Sequence, residues 1–349
     1  MTTIPLDKQT VEYAVFGGTI LGGGGGGWIE QGLEVGRLAL EAGDPKLITV
    51  DELSDEDLLV TVALVGAPAA KDKYVKPMHY ARALEIVARL AGKPVQGLIT
   101  NENGAETTVN GWFQSALTGI PVIDIPCNGR AHPTGMMGAM NLTELDDYVA
   151  HQGAVGGKGN RYIEIGVSSS LEKSASIVRN ASIEAGGVVA VARNPVTVAY
   201  AKQNGSPGAI RQAIEVGQAL LSHKGESAID AAVKQLGGNV AVTGTVTDFR
   251  LETKGGFDVG VVTLNNNVEL TFWNEYMTLE INGERLASFP DLIMTLDAKT
   301  GRPIITAAVE KGQHLAVITV PREKLILSTT MRNAKLLKPV EEIIGKTIL

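Results

Sequence analysis

The sequence predicts an α/β protein: a mostly parallel sheet with helices in an N-terminal domain, 1–160, then a β-rich α+β domain, 161–349. Three observations predict it. Up to about Asp124, short apolar runs alternate with amphipathic segments, as in strand–helix–strand units. From about Val240, β-rich runs separated by Gly and Asn turns replace that pattern. Finally, 349 residues that are 44% hydrophobic and 20% charged suit two folded domains with sizeable cores.

Asp7 to Phe16 reads as a short helix leading to Gly17-Gly18, and six glycines, Gly22 to Gly27, follow Ile20-Leu21. Glu30 to Ala42 reads as a helix ending at Gly43. Leu47–Val50 and the nearly all-apolar Leu58–Val65 read as strands, the second running into Gly66-Ala67-Pro68. A helix over His79–Leu90, a strand over Val95–Thr100, a helix over Val109–Leu117 and a strand over Ile120–Asp124 complete the first block. Glycines at 153, 156, 157 and 159 loosen the chain and mark a boundary. Helices are then expected over Leu171–Ala185 and Gly208–Leu221, with a strand at Val188–Ala192 between them. Strands follow at Val240–Arg250, Gly260–Leu264, Val268–Trp273, Met277–Ile281 and Leu315–Val320. Turns at Gly255-Gly256, Asn265–Asn267 and Asn282-Gly283 separate them, the last a hairpin signal.

The glycine run is the most unusual stretch. Glycine gives up the most conformational entropy on ordering, so six in a row are a poor choice for plain structure. They permit positive φ and let backbone N–H groups approach a ligand without a Cβ between. A helix starting just after such a loop aims its N-terminal amides at whatever the loop holds. The run sits between apolar residues, which argues against a flexible linker. No Lys-Ser or Lys-Thr follows it, and the segment before it is helical, so neither nucleotide-binding pattern fits. We therefore expect Gly22, Gly23, Gly24, Gly25, Gly26 and Gly27 to bind a small polar or anionic molecule.

Two polar clusters stand at strand ends, where ligands of open α/β sheets gather. In the first, Asn101–Thr108, Glu102 and Glu106 either cap the following helix or reach substrate or metal; Asn101 and Gly104 belong to the same expected binding surface. The second, Asp124–Thr134, packs a carboxylate, a thiol, a guanidinium and an imidazole together. Asp124 could act as a base or bind a metal, and Arg130 could clamp a carboxylate. Cys127 and His132 could form a nucleophile pair or two zinc ligands, or simply pack in the core. Asn128 and Gly129 lie between them as expected substrate contacts. In the second domain, Glu275 and Asp291 are carboxylates within apolar stretches that either find structural partners or reach the cleft between domains.

The net charge of −7 argues against nucleic acid as a partner. No apolar run is long enough to span a membrane, and the first residues lack a basic-then-apolar signal pattern. With a single cysteine, an internal disulfide is impossible; a cytoplasmic location is expected, and a homo-oligomer is the default assembly.

The chain resembles the S-methyl thiohydantoin desulfurase-like family, long listed as a domain of unknown function and often described as hydantoinase-related. The residues that carry the resemblance are Ile20-Leu21-Gly22 through Gly27, Val65-Gly66-Ala67-Pro68, and Pro121–Asp124 with Gly129-Arg130-Ala131 and Pro133. In the second half they are Asn274-Glu275 and Pro290–Ile293. The family usually has Asp where this chain has Pro126, Glu where it has Thr134, and Asp where it has Trp28. It commonly shows Glu-x-Gly-Gly-x-Asn where this chain has Asn101–Glu106. Trp28 implies a more apolar ligand than the family's usual one.

The resemblance implies a hydrolase of a small cyclic amide, imide or thiohydantoin-like ring. Cleavage of C–N or C–S would use activated water or Cys127. Asp124 or Glu106 would activate the water, with a divalent metal such as zinc as the candidate cofactor. The alternative is a non-catalytic small-molecule binder or a subunit of a larger hydantoinase-type complex, with the changed polar positions as the mark of lost chemistry.

Overall fold

The computed structural model describes residues 3–66, 71–254 and 257–348. The Ala67-Pro68 part of the expected motif and the Gly255-Gly256 turn lie outside the described residues. Eight strands make the first sheet: β1 (Thr3–Ile4), β2 (Leu47–Ile48), β3 (Leu58–Gly66), β4 (Gly97–Thr100), β5 (Val122–Ile123), β6 (Ala150–Gly156), β7 (Ile163–Ser169) and β8 (Val188–Thr197). Eight make the second: β9 (Asn239–Lys254), β10 (Phe257–Leu264), β11 (Val268–Trp273), β12 (Glu275–Ile281), β13 (Glu284–Ser288), β14 (Leu292–Asp297), β15 (Pro303–Ile304) and β16 (His314–Val320). The α-helices are α1 (Lys8–Gly22), α2 (Ile29–Ala42), α3 (Pro77–Ala91), α4 (Trp112–Thr118), α5 (Leu171–Glu184), α6 (Val198–Asn204), α7 (Ala209–Leu221), α8 (Glu226–Leu236) and α9 (Ala334–Ile344).

The first sheet has the order β1-β2-β5-β4-β3-β8-β6-β7. Its β2-β5-β4-β3 half is parallel, joined through helical crossovers. β8, β6 and β7 continue it antiparallel. The sheet is therefore mixed, where a mostly parallel one was expected. The reason lies in the stretch that read as a loose boundary: β6 and β7 are joined by a short connection, which permits only antiparallel pairing. The glycines there serve packing. A Cβ on Gly153 would stand 2.5 Å from the Ala83 carbonyl oxygen and 2.9 Å from Ile86 Cβ, so its absence lets α3 lie directly on the sheet.

The second sheet, β13-β12-β11-β10-β9-β16-β14-β15, is antiparallel throughout. The long β9 serves both halves, pairing with β16 through its first residues and with β10 through its later ones. Between the sheets, α7 and α8 bury Leu220, Ile229 and Val233 against Leu292, Met294 and Ile318. Ile20 and Leu21, the tip of α1, enter that same core. At about 1.5–3 kcal/mol per fully buried aliphatic side chain, this cluster firmly anchors the end of α1 in the second domain.

α1 does not stop at Gly17-Gly18, as their composition suggested. Asp7 caps it by accepting from the Thr10 amide at 2.7 Å, and it runs unbroken to Gly22. Gly17 lies on α7: a Cβ there would overlap the Ala213 carbonyl and reach within 2.6 Å of the Gly217 amide. Gly217 in turn lies against the Tyr13 backbone. A helix-interior glycine costs about 1 kcal/mol relative to alanine, and backbone-to-backbone packing of two helices offsets it. Among the described residues, no helix is long and apolar enough to cross a membrane.

Candidate active site

The glycine loop follows directly from the C-terminus of α1. Gly23 ends the helix in the left-handed conformation (φ 59°), and Gly24, Gly26 and Gly27 also have positive φ, at 101°, 81° and 93°. No residue with a side chain would follow this path without strain. The loop carbonyls are tied to both domains. Gly23 O accepts from the Tyr276 amide (2.8 Å) and Gly24 O from the Thr306 amide (3.0 Å) and hydroxyl (3.1 Å). Gly26 O accepts from the amides of Glu106 (2.9 Å) and Thr107 (3.3 Å). The amides of Gly24, Gly26 and Gly27 have no acceptor among the described residues. α2 starts at once beyond them, with no side-chain cap on its first turn.

The loop runs along a cavity of about 780 Å³ between the domains. It passes from buried glycines at 22–24 through half-buried 25–27 to the exposed Trp28. Each step meets a different partner. Gly23 abuts the Arg130 guanidinium, Gly25 the Glu275 carboxylate, Gly26 the backbone of Gly104, and Gly27 the Glu106 side chain.

At the inner end two carboxylates face the cavity from opposite domains. Glu102 leaves the end of β4. Its Oε2 accepts from the His132 amide at 3.2 Å and lies 3.1 Å from His132 Nε2. The imidazole geometry is too poor for a hydrogen bond, and both ring nitrogens lack partners among the described residues. Burial raises the Glu102 carboxyl, to about 8, although the His132 amide, Arg193 and Arg130 oppose the shift. Burial also lowers His132, to about 4. Near neutral pH the Glu102–His132 contact therefore joins two largely uncharged groups and is not an ion pair.

Glu275 opens β12, just after Asn274, which takes the left-handed conformation (φ 57°) that asparagine tolerates and ties back to Asp258. The Glu275 carboxyl is buried, and its Oε2 has no hydrogen-bond partner among the described residues. Burial first, and then the Glu102 charge, raise it well above the usual carboxylate range; Arg130 pulls the other way. Arg130 itself is fully buried. It donates to the carbonyls of Pro290 (3.1 Å) and Asp291 (2.5 Å) and lies over the Phe289 ring at 4.6 Å. Its Nη2 has no hydrogen-bond partner among the described residues. Burial lowers it to about 10, against the pull of the Glu275, Asp291 and Glu102 carboxyls, so it stays charged at neutral pH.

Of the residues singled out in the sequence, the structure brings Gly24–Gly27, Asn101, Glu106, His132 and Glu275 to the cavity wall, with Gly22, Gly23, Gly104 and Arg130 directly behind it. The others stand elsewhere. Asp124 accepts from the Ile210 amide (2.8 Å) and the Arg211 amide (3.3 Å), capping α7. Cys127 is buried among aliphatic side chains, 3.2 Å from Thr61 Oγ1, and burial pushes its thiol up to about 11. Asn128 donates to Arg130 O and accepts from Ser328, locking the loop to the second domain. Gly129 makes room for the Ile326 carbonyl, and Asp291 holds Arg322 at 2.9 Å. Among the described residues, no group of three or more His, Cys, Asp or Glu side chains stands close enough to hold a metal ion. Sequence reasoning passed over Thr306 and Tyr80, which line the cavity, and Arg193, whose Nη2 donates to Asn101 at 2.9 Å. Nothing local in the sequence marks these three.

Models of the S-Me-THD-like N-terminal and C-terminal domains match residues 9–164 and 169–339. The chain belongs to the S-Me-THD-like family. Both of the family's domains are thus present, and the cavity lies where they meet. Among solved structures, this S-Me-THD-like chain is similar to a crystallised protein from Chromobacterium violaceum. The two share 21% identity over 97% of this chain and 96% of that one, with a TM-score of 0.71. At that identity the likeness speaks for the fold. No curated protein matches this S-Me-THD-like chain.

Proposed function

We propose that the protein hydrolyses a small cyclic amide, imide or thiohydantoin-like ring at the inner end of the cavity. The observation that carries this reading is the pair of buried carboxyls, Glu102 and Glu275, raised by burial and facing one space across the domain boundary. Neighbouring carboxyls that cannot both ionise readily divide into a base and an acid. Glu102 has four groups favouring its ionised form, the His132 amide, Arg193, Arg130 and the Asn101 side chain; Glu275 has Arg130 and its own amide, and it feels the charge of Glu102. Glu102 therefore ionises first and takes the proton of the attacking water, while Glu275 holds its proton.

In the step, the water oxygen bonds to the ring carbon and its proton passes to Glu102. The unpaired amides of Gly24, Gly26 and Gly27 would stabilise the developing negative charge, which falls on oxygen or sulfur when a carbonyl or thiocarbonyl is attacked and on the ring nitrogen when the thioether-bearing carbon is attacked. The carbon–nitrogen bond, or the carbon–sulfur bond of a thioether-bearing ring, then breaks, and Glu275 protonates the departing atom. Proton transfer between the two carboxyls through solvent restores the starting state. The family membership supports the ring substrate, and the site geometry supports the acid–base pair.

The test incubates the purified protein with hydantoin, thiohydantoin, S-methyl thiohydantoin and oxoproline and follows product by chromatography. Turnover lost in both Glu102→Gln and Glu275→Gln is expected. Turnover that survives either substitution undiminished removes that residue, and absence of turnover with every ring removes the reading.

A further inference from the structure

The cavity is much larger than the ring its inner end would hold. At about 780 Å³ it matches sites that enclose ligands of drug size, several times the volume of a bare five-membered ring. The lining continues along the glycine loop to its exposed exit at Trp28. Trp28, Val35, Leu64, Tyr74, Tyr80 and Val188 line the cavity and come from the loop exit, α2, the end of β3, the approach to α3, α3 itself and the start of β8. Trp28 is 41% exposed, a large apolar surface left to water at the cavity wall. The charged side chains of the lining are mostly acidic. Glu34, Glu106 and Asp258 line the cavity with Lys73, and Lys73 acts on Glu106, lowering its pKa against burial. That leaves Glu34 and Asp258 to disfavour an anionic substituent.

Resting on the reading above, we infer that the substrate ring carries an uncharged apolar substituent, aromatic or branched aliphatic, which packs against Trp28 and the aromatic wall. Trp28 is then a specificity-determining residue: it adds binding free energy outside the reacting centre and leaves the chemistry alone. The wall excludes a carboxylate-bearing substituent by charge and a short one by lack of contact.

The experiment uses the full chain and four probes: hydantoin and its 5-benzyl, 5-(2-carboxyethyl) and 5-(4-aminobutyl) derivatives. Affinity is read by calorimetry and by intrinsic fluorescence. Of the three tryptophans, Trp112 and Trp273 are buried, so a ligand at the mouth changes chiefly the Trp28 signal. The 5-benzyl ring is expected to bind at least tenfold more tightly than hydantoin and than either charged derivative. In Trp28→Ala that preference over hydantoin falls about fivefold or more; Trp28→Phe keeps most of the preference. The inference is overturned if hydantoin or a charged derivative binds as well as the benzyl ring, or if Trp28→Ala keeps the full preference. If none of the four rings binds or turns over, the ring-hydrolase reading falls and this inference falls with it. Binding of hydantoin without the benzyl preference sinks this inference alone.

Discussion

The Glu275 carboxylate fills the space that a side chain on Gly25 would occupy. The contact joins the loop at the end of the first domain's opening helix to the first residue of a second-domain strand. Gly25→Ala is expected to displace Glu275 and reduce kcat/KM by about 10²-fold or more, since a shift near 1 Å is enough for such a loss. Overpacking at this point should also cost about 1–3 kcal/mol of stability. Ring-hydrolysis kinetics and denaturant unfolding of the variant check both. Unchanged kinetics would show that the loop does not position Glu275.

Glu102→Gln and Glu275→Gln each remove one partner of the proposed acid–base pair. Each should lower kcat by about 10²–10⁴-fold with a smaller effect on KM. The double variant should be only slightly worse than either single one, because the two carboxyls act as a unit. Multiplying effects in the double variant would indicate two independent roles.

The raised carboxyls fix the pH behaviour. Between the ordinary glutamate value of 4.5 and about 8, folded Glu102 keeps its proton while the unfolded chain has lost it. The native state then binds more protons, so stability falls as pH rises through this window and levels off above it. Glu275 acts in the same sense. Melting temperature against pH should slope downward over that range in the wild type and more weakly in Glu102→Gln. Activity moves the opposite way on its acidic limb: kcat/KM should rise as Glu102 ionises toward pH 8.

Cys127→Ala should leave ring hydrolysis intact. Its thiol is buried, paired with Thr61 and pushed up to about 11, far from the thiolate a nucleophile needs. A stability loss of about 1 kcal/mol or somewhat more is expected for the small void. Iodoacetamide should not label the native protein, and rapid labelling would contradict the buried placement.

Asp124→Ala should cost about 1–2 kcal/mol, the loss of a helix N-cap, with KM unaltered. Denaturant unfolding checks the first expectation and steady-state kinetics the second. A KM change greater than the stability loss explains would return Asp124 to the site.

Much of the architecture could be read from the sequence because it depends on local pattern. The apolar run of β3, the amphipathic α3 and the Asn282-Gly283 turn each declare themselves within a dozen residues. What stayed hidden depends on distant partners. Gly17 reads as a helix breaker until α7 is seen to lie against it, and Gly153 reads as slack until α3 is seen above it. The antiparallel place of β8 beside β3 is set by long-range pairing that alternation alone cannot specify. At the site, the glycine loop was legible because six glycines have few other uses. The Glu102–Glu275 relationship was not, because each looks locally like a cap or a buried ion partner. Conversely, Asp124 and Cys127 stood in the densest reactive cluster, yet one caps a helix and the other packs in the core. Density in sequence does not reveal which way a side chain points.

The crossing of α1 and α7 has a kinetic meaning. Main chain touches main chain there, with no side chains between to slide or change rotamer. The tip of α1 is also sunk in the second domain's core. A hinge opening the cleft would have to tear this seam, so the domains should turn over as a single block. On the function proposed above, a ligand would then arrive through motions of side chains such as Trp28 in the cavity wall, on a timescale faster than any movement of one domain against the other.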